Sequence, residues 1–272
     1  LYYISPQVWA WKESRVKTIR SDVDKMLVIL PFEKEFYHKW NYEVDYVGHP
    51  LVEVIATFRN SPASRSFPDI IYSVQHKAST PRPLIALLPG SRKQEILKKL
   101  PVMLEASRAF PDYQFVVAEA PGQEDSFYDE ILKKYPEAGR VRNQTYALLN
   151  HAQAACVTSG TATLETALFG VPEVICYKGS AISYQIAKKL IKVKYISLVN
   201  LIMDKPVVKE LIQDEMTATN IVIELKKLLH DPETSQRIRQ DYADLKDLLS
   251  QGGNASEKAA EIIVGYLKTG AA

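Results

Sequence analysis

The chain has 272 residues, a length that accommodates one or two domains. Its 46% hydrophobic and 24% charged residues are ordinary for a globular protein and exclude disordered and fibrous classes. The 34 Lys and Arg residues against 32 Asp and Glu residues leave a net charge of +2, which argues against a nucleic-acid-binding protein. Two cysteines, Cys156 and Cys176, are too few for a disulfide framework and have no CxxC spacing. We interpret them as reduced core residues of a cytosolic protein.

Segments typical of strands and helices alternate along the chain. The short apolar run 26–31 predicts a strand buried on both faces of a parallel sheet, and helical spacing of apolar residues in 14–25 predicts a helix. The predicted order in the first part is strand 1–11, helix 14–25, strand 26–31, helix 32–41 and strand 44–55. Four prolines then interrupt residues 60–83, which we interpret as a linker or a surface excursion.

The alternation restarts at residue 84. The predicted order is strand 84–90, helix 95–110, strand 115–120, helix 126–135, strand 152–158, helix 161–169, strand 172–178, helix 184–192 and further helices from residue 220. This βαβα order predicts an α/β fold of doubly wound parallel sheets with right-handed crossovers. No apolar run approaches the roughly 20 residues that span a bilayer.

Several common catalytic signatures are missing from the sequence. It contains no GxxxxGK[ST] phosphate loop, no GxGxxG and no GxSxG elbow. The five histidines are scattered without HxxxH spacing. We therefore predict no metal site, no serine triad and no cofactor.

The segment LLPGSR is the first sign of a ligand site. A predicted strand ends there in Gly90, Ser91 and Arg92, and ligands of open α/β sheets bind beyond the carboxyl ends of strands. Glycine allows close approach of the backbone, and the planar guanidinium fork of Arg92 suits phosphate oxygens. The alternative is a tight turn with a solvated arginine.

The segment SGTATLETAL is the second sign. Ser159, Gly160, Thr161 and Thr163 open a predicted helix, whose unpaired N–H groups and positive dipole favour an anion. Glu165 lies one turn further on, where its carboxylate can accept hydrogen bonds from the paired hydroxyls of a sugar. The alternative is an ordinary helix cap with an acidic first turn.

Two further features are ambiguous by themselves. Asn200 follows an apolar run, where an asparagine usually satisfies a turn and less often contacts a ligand. The basic and apolar stretch from Tyr184 to Tyr195 fits a helix on an anionic membrane surface, or a core helix with solvated lysines.

Six segments together resemble the lipid-A-disaccharide synthase family, in the family's order and with compatible spacing. They are SPQVWAWKESRVKTI, LPFEKEFY, VGHPLVE, LLPGSRKQEI, SGTATLETAL and KVKYISLVNLI. The resemblance implies a GT-B fold with two Rossmann-like lobes, the N-terminal one incomplete in this chain. The implied domains are the C-terminal part of the acceptor lobe (1–58), a linker or excursion (59–83), the nucleotide-sugar lobe (84–232) and C-terminal helices that pack back across the lobes (233–272).

The resemblance also implies an inverting transfer of 2,3-diacylglucosamine from its UDP derivative to 2,3-diacylglucosamine 1-phosphate, which releases UDP. Arg92 resembles the family's diphosphate-contacting arginine and would stabilise the leaving group. Glu165 resembles the ribose-binding glutamate, and Ser159 to Thr163 the loop beneath the phosphates. Asn200 resembles the nucleotide-side asparagine, although Val199 stands where the family has proline.

The family's general base, an aspartate, belongs to a segment before SPQVWAW, and no Asp or Glu here matches it. Because inverting transfer needs that base, we expect this polypeptide alone to be inactive. His49 is expected to be structural. We also expect a cytoplasmic protein at the inner-membrane surface, no nucleic-acid partner, and leave a homodimer open. The alternatives are a UDP-N-acetylglucosamine 2-epimerase or another GT-B enzyme, and a non-catalytic nucleotide-binding lobe.

Overall fold

The computed structural model describes residues 1–72, 82–179 and 193–269. By its internal contacts the chain forms two compact units. The described residues of the first unit are 1–57, 193–194 and 243–269, and those of the second are 58–179 and 195–242.

The first unit contains a parallel three-stranded sheet with helices around it. Its strands are β1 (Tyr2–Tyr3), β2 (Met26–Val28) and β3 (Asp45–Tyr46), in the order β1-β2-β3. Its helices are α1 (Val8–Trp11), α2 (Val16–Asp22), α3 (Glu33–His38) and α4 (Pro50–Asn60), whose last residues belong to the second unit. The predicted helix 14–25 and strand 26–31 are confirmed in shortened form.

Two predicted strands of this unit are wrong in part. Residues 1–11 form only a two-residue strand followed by α1, because Ile4 leaves the extended conformation at φ of +67° and Pro6 has no N–H to donate to a strand ladder. The indole of Trp9 in α1 donates a 3.1 Å hydrogen bond to the buried carboxylate of Glu33. Residues 44–55 form β3 and then α4. Gly48 turns the chain between them with φ of +93°, and Pro50 fits the first turn of a helix.

Strand β2 is buried on both faces, as predicted. Met26 and Val28 point into one cluster with residues of α1, α2 and α3. Leu27 points to the other face and packs with Val47 and with Ala259 of a C-terminal helix (residues 255–268). This alternation follows from the two-residue period of a strand. Residues 243–269 therefore complete the core of the first unit.

The second unit is built on a seven-stranded sheet in the order β10-β9-β8-β5-β6-β7-β4. The strands are β4 (Ile71–Tyr72), β5 (Leu84–Leu88), β6 (Gln114–Ala118), β7 (Gly139–Val141), β8 (Ala152–Val157), β9 (Glu173–Tyr177) and β10 (Lys209–Ile212). All neighbours pair in parallel except β4, which is antiparallel to β7. The predicted doubly wound α/β fold is thus present.

Helices cover this sheet and continue along the chain to Lys268. They are α5 (Lys93–Ser107), α6 (Asp125–Leu132), α7 (Thr145–His151), α8 (Thr161–Leu168), α9 (Leu198–Met203), α10 (Ala218–His230) and α11 (Pro232–Ser250), followed by α12 (Ala255–Lys268) in the first unit. The assignment to units changes within α11, after Tyr242. Both cysteines are buried in the sheet, as expected.

Five of the described elements of the second unit were not predicted: β4, β7, α7, α9 and β10. Each is short, so the periodicity of its side chains is too brief to be recognised in the sequence. Of the predicted linker or surface excursion (59–83), the described residues up to Tyr72 belong to the second unit, and strand β4 extends its sheet by pairing with β7.

Candidate active site

The carboxyl ends of β5 and β8 lie side by side in the centre of the second unit's sheet. Leu88 is paired with Val157, and the amide of Thr158 donates a 2.9 Å hydrogen bond to the carbonyl of Leu88. The loops that follow the two strands therefore open at one edge. A cleft of about 360 Å³ lies there. Its lining includes Gly90, Ser91, Glu95, Glu119, Thr145, Thr158, Ser159, Gly160, Thr161 and Glu165.

Glycines shape both loops of this cleft. Gly90 has φ of +107° and Gly160 has φ of +143°, a region that L-amino acids with a side chain rarely adopt. A Cβ at position 90 would also stand 3.0 Å from Oε2 of Glu95. At these two positions the backbone borders the cleft without a side chain.

Helix α8 begins at the second loop. The hydroxyl of the buried Thr163 donates a 2.8 Å hydrogen bond to the carbonyl of Gly160 and closes the first turn. The N–H groups of a first turn have no intrahelical acceptor, and the helix dipole is positive there. The cleft therefore favours an anion beside Gly160 and Thr161.

Ser159 and Asn200 belong to a network behind the second loop. The hydroxyl of Ser159 donates a 2.6 Å hydrogen bond to the carbonyl of Ile196. The buried amide of Asn200 pairs with both backbone groups of Val208 at 2.9 Å and donates to Glu210 at 3.0 Å. Asn200 is not among the residues that line the cleft. Its described bonds hold the chain that supports Ser159.

Glu210, which the sequence did not reveal, is the centre of that network. Its carboxylate accepts hydrogen bonds from the amides of Ile196 and Ser197, from the hydroxyl of Ser197 and from Asn200. The carboxylate holds the start of helix α9 and the segment before it. No sequence motif marks this residue, since its partners lie 10–14 positions away.

Arg92 lies at the start of α5 with a side chain that is 83% exposed. Its guanidinium is 3.4 Å from Oε1 of Glu95, a residue that lines the cleft. Arg92 itself is not among the lining residues. In this state the arginine is paired with a carboxylate beside the cleft.

Glu165 lines the cleft and is held by a tyrosine. The hydroxyl of Tyr146 donates a 3.1 Å hydrogen bond to Oε1 of Glu165. Burial raises the pKa of the Glu165 carboxyl, and this hydrogen bond acts against the rise. The ring of Tyr146 packs edge-on against Phe58 and tilted against Phe169, so its position is fixed by aromatic contacts.

On another wall of the cleft, Glu119 is a buried carboxylate compensated by two arginines. Arg140 donates to one of its oxygens, and Nε of Arg142 donates to the other at 2.9 Å. Both arginines also pair with Asp125 of helix α6. The network neutralises the buried charge and fixes the loops after β6 and β7.

His49 belongs to the first unit. It is buried, accepts a 3.2 Å hydrogen bond from the amide of Leu51, and burial lowers its pKa to about 4. A neutral, internally bonded imidazole at the start of α4 fits the structural role that we expected.

Comparison with known proteins decides the family. A family model described as lipid-A-disaccharide synthetase matches residues 1–264. The chain belongs to the lipid-A-disaccharide synthase family. It is 40% identical to the synthase of Syntrophus aciditrophicus over 273 aligned positions, which cover 98% of the chain and 69% of the relative. The Geobacter sulfurreducens synthase is 39% identical, and the alignment covers 98% of the chain and 68% of that relative. The Coxiella burnetii synthase is 37% identical, with 97% of the chain and 68% of the relative covered.

Solved structures agree on the fold. The UDP-N-acetylglucosamine 2-epimerase of Neisseria meningitidis is similar with a TM-score of 0.59 and 11% identity, covering 89% of the chain and 62% of the epimerase. The calicheamicin glycosyltransferase CalG4 is similar with a TM-score of 0.53 and 18% identity, covering 91% of the chain and 53% of CalG4. These likenesses show the GT-B fold alone, and the predicted fold class is confirmed.

Membership of the lipid-A-disaccharide synthase family makes the protein a glycosyltransferase of lipid A biosynthesis, as predicted. In the parts of the chain that the structure describes, every helix is too short or too polar to cross a bilayer. The same ranges hold no group of three or more His, Cys, Asp or Glu side chains suited to a metal ion. Most of the basic stretch from Tyr184 to Tyr195 lies outside the described residues.

Proposed function

We propose that the cleft of the second unit binds UDP-2,3-diacylglucosamine as glycosyl donor. The acceptor is 2,3-diacylglucosamine 1-phosphate, and the products are the β-1,6-linked disaccharide 1-phosphate and UDP. The observation that carries the assignment is the meeting of two glycine loops and the start of helix α8 at one sheet edge. Exposed backbone and a positive helix terminus are suited to a diphosphate.

The diphosphate would lie against the backbone of Gly90 and Ser91 on one side and of Gly160 and Thr161 on the other. Arg92 would rotate from Glu95 toward the phosphates, where its guanidinium stabilises the charge that develops on departing UDP. A side chain that is mostly exposed can make this rotation without repacking the core.

Glu165 would accept hydrogen bonds from the ribose hydroxyls. Tyr146 holds one carboxylate oxygen of this lining residue, and the other oxygen would take the ribose hydroxyls. Ser159, Thr163 and Asn200 would contribute by shaping the loop, since their described hydrogen bonds run to the protein backbone and Glu210.

The acylated substrates call for a lipid surface. We propose that the protein acts in the cytoplasm, peripherally at the inner membrane, through the lysines between Tyr184 and Tyr195. Electrostatic attraction to anionic headgroups is worth about 1 kcal/mol for each lysine near the surface. Sedimentation with vesicles containing anionic lipid should remove the protein from solution, and neutral vesicles should not. A homodimer stays a prediction.

Calorimetry with UDP tests the nucleotide site. We expect binding that Arg92→Ala weakens by about tenfold, because a charged hydrogen bond to phosphate is lost. Arg108→Ala is the matched control, since Arg108 is also exposed on the surface but pairs with Glu105 at the other end of α5. Absence of UDP binding by the unsubstituted chain would overturn the proposed site, and equal losses in both variants would overturn the role of Arg92.

A further inference from the structure

Lys99 is a buried lysine close to the cleft that no sequence motif marked. It lies on helix α5, and its side chain is only 3% exposed. Its neighbour Lys98 faces solvent on the same helix. Burying an ammonium is costly unless it is paired, so such a lysine requires an explanation.

The partners of Lys99 are residues of the two loops. Its Nζ donates to the hydroxyl of Thr158, which follows β8, and lies 3.4 Å from Oε2 of Glu95. A Cβ at Gly90 would stand 3.5 Å from the same Nζ. Thr158, Glu95 and Gly90 all line the cleft. The ammonium therefore lies behind the cleft wall at the point where the loops meet.

The charges around Lys99 do not cancel completely. Glu95 is shared between Lys99 and Arg92, at 3.4 Å from each. One carboxylate thus faces two cations, which leaves one more positive than negative charge among these three side chains. The other two carboxylates of the lining, Glu119 and Glu165, belong to the separate contacts described above. Low effective dielectric in a buried site makes such a charge act more strongly than one at the surface.

We propose that Lys99 is an electrostatic positioning residue for the donor's diphosphate. This inference rests on the proposed function. The ammonium attracts the phosphates from behind the two loops and holds Thr158 in place between them. Because Gly90 has no side chain, no atom of residue 90 fills the space between the ammonium and the cleft. Burial lowers the pKa of Lys99, while the neighbouring carboxylate of Glu95 favours the charged form.

The test compares UDP with UMP in Lys99→Met, which keeps the length of the side chain but removes its charge. Lys98→Met is the control on the same helix. We expect Lys99→Met to weaken UDP binding by about tenfold and UMP binding by at most about threefold. UDP carries one more phosphate group than UMP, so its binding depends more on the attraction to the ammonium of Lys99. Lys98→Met should change neither the UDP affinity nor the UMP affinity by more than about twofold, since exposed charges are screened by solvent.

Thermal unfolding separates this role from a purely structural one. Removing one partner of a buried pair is destabilising when the other partner is left buried and unpaired. Glu95 is partly exposed and keeps its pair with Arg92, so Lys99→Met should unfold near the Tm of the unsubstituted chain while losing UDP affinity. If Lys99→Met does not fold, Lys99→Gln, which can still donate to Thr158, carries the same comparison. Equal losses for UDP and UMP, or unchanged UDP affinity, would overturn the proposal. Absence of UDP binding by the unsubstituted chain would instead overturn the proposed function, and this inference with it.

Discussion

The hydroxyl of Tyr146 holds the carboxylate of Glu165 at 3.1 Å, and the two residues come from different helices, α7 and α8. Tyr146 is itself fixed by the rings of Phe58 and Phe169. The direction of a carboxylate at the edge of the cleft is thus determined by an aromatic cluster behind it.

Replacing Tyr146 by phenylalanine tests this relationship. We expect UDP affinity to fall by about three- to tenfold, because Glu165 loses the bond that orients it. Binding of 2′-deoxy-UDP should fall less, since one of the ribose hydroxyls is already missing. Calorimetry with both nucleotides measures the difference. Tyr113→Phe is the control, because the partly exposed Tyr113 packs beside Phe110 and His230 away from the cleft lining, and it should bind both nucleotides as before. An equal loss for the two nucleotides in Tyr146→Phe would contradict an effect through the ribose.

Alanine at Gly160 tests the backbone of the second loop. No heavy atom lies within 4 Å of the Cβ position, so the substitution introduces backbone strain at φ of +143° and no side-chain clash. We expect a loss of about 1–3 kcal/mol in the free energy of unfolding, or a shifted loop that binds UDP more weakly. Chemical denaturation and calorimetry measure the two quantities. Gly122→Ala, which also has open space at its Cβ position but no positive φ, should be near neutral. Unchanged stability and affinity in Gly160→Ala would count against the need for glycine.

Removing the carboxylate of Glu210 tests the network behind the loop. Glu210→Gln should lower the free energy of unfolding by about 1–3 kcal/mol, because buried donors lose a charged acceptor. UDP binding should weaken as well, since Ser159 is tied to Ile196 in the same network. Glu215→Gln is the control, because Glu215 is an exposed residue that pairs with Lys209. A Glu210→Gln variant as stable as the control would show that the network contributes little.

Glu33 makes the stability of the protein depend on pH. Burial raises its pKa to about 7, although Trp9 and the amide of Leu30 donate hydrogen bonds to it. The folded-state pKa of Glu33 exceeds the ordinary value of 4.5. Its contribution to the free energy of unfolding is therefore fully present below pH 4.5 and is lost as pH rises through about 7. At ~1.4 kcal/mol per pKa unit, the loss has an upper limit of about 3 kcal/mol.

The measurement is urea denaturation between pH 4 and pH 8 for the unsubstituted chain and for Glu33→Gln. The difference in the free energy of unfolding between the two proteins should change between pH 4 and pH 8. The unsubstituted chain should lose stability relative to Glu33→Gln as pH rises. Taking the difference removes the opposite effect of His49, whose lowered pKa favours the folded state at higher pH. A difference that stays constant with pH would contradict the raised pKa of Glu33.

The sequence by itself determined the fold class and most elements of the second unit, because long amphipathic helices and fully apolar strands leave a clear periodicity. It also located the loops at Gly90 and Gly160, since glycine after a buried strand is a local signal. The family followed from six segments in order, and the family match agrees.

Only the tertiary structure decided which side chains meet. Glu210, Tyr146 and Lys99 act on residues that lie distant in the chain, and no periodicity records such partners. The same applies to Trp9, which lies in a segment that favours a strand but forms a helix, and whose indole donates to Glu33, 24 positions away. Local propensities are worth less than about 1 kcal/mol per residue, so a single buried contact can reverse them. That is why the sequence predicted where the cleft lies, and the packing of the chain determined what holds it together.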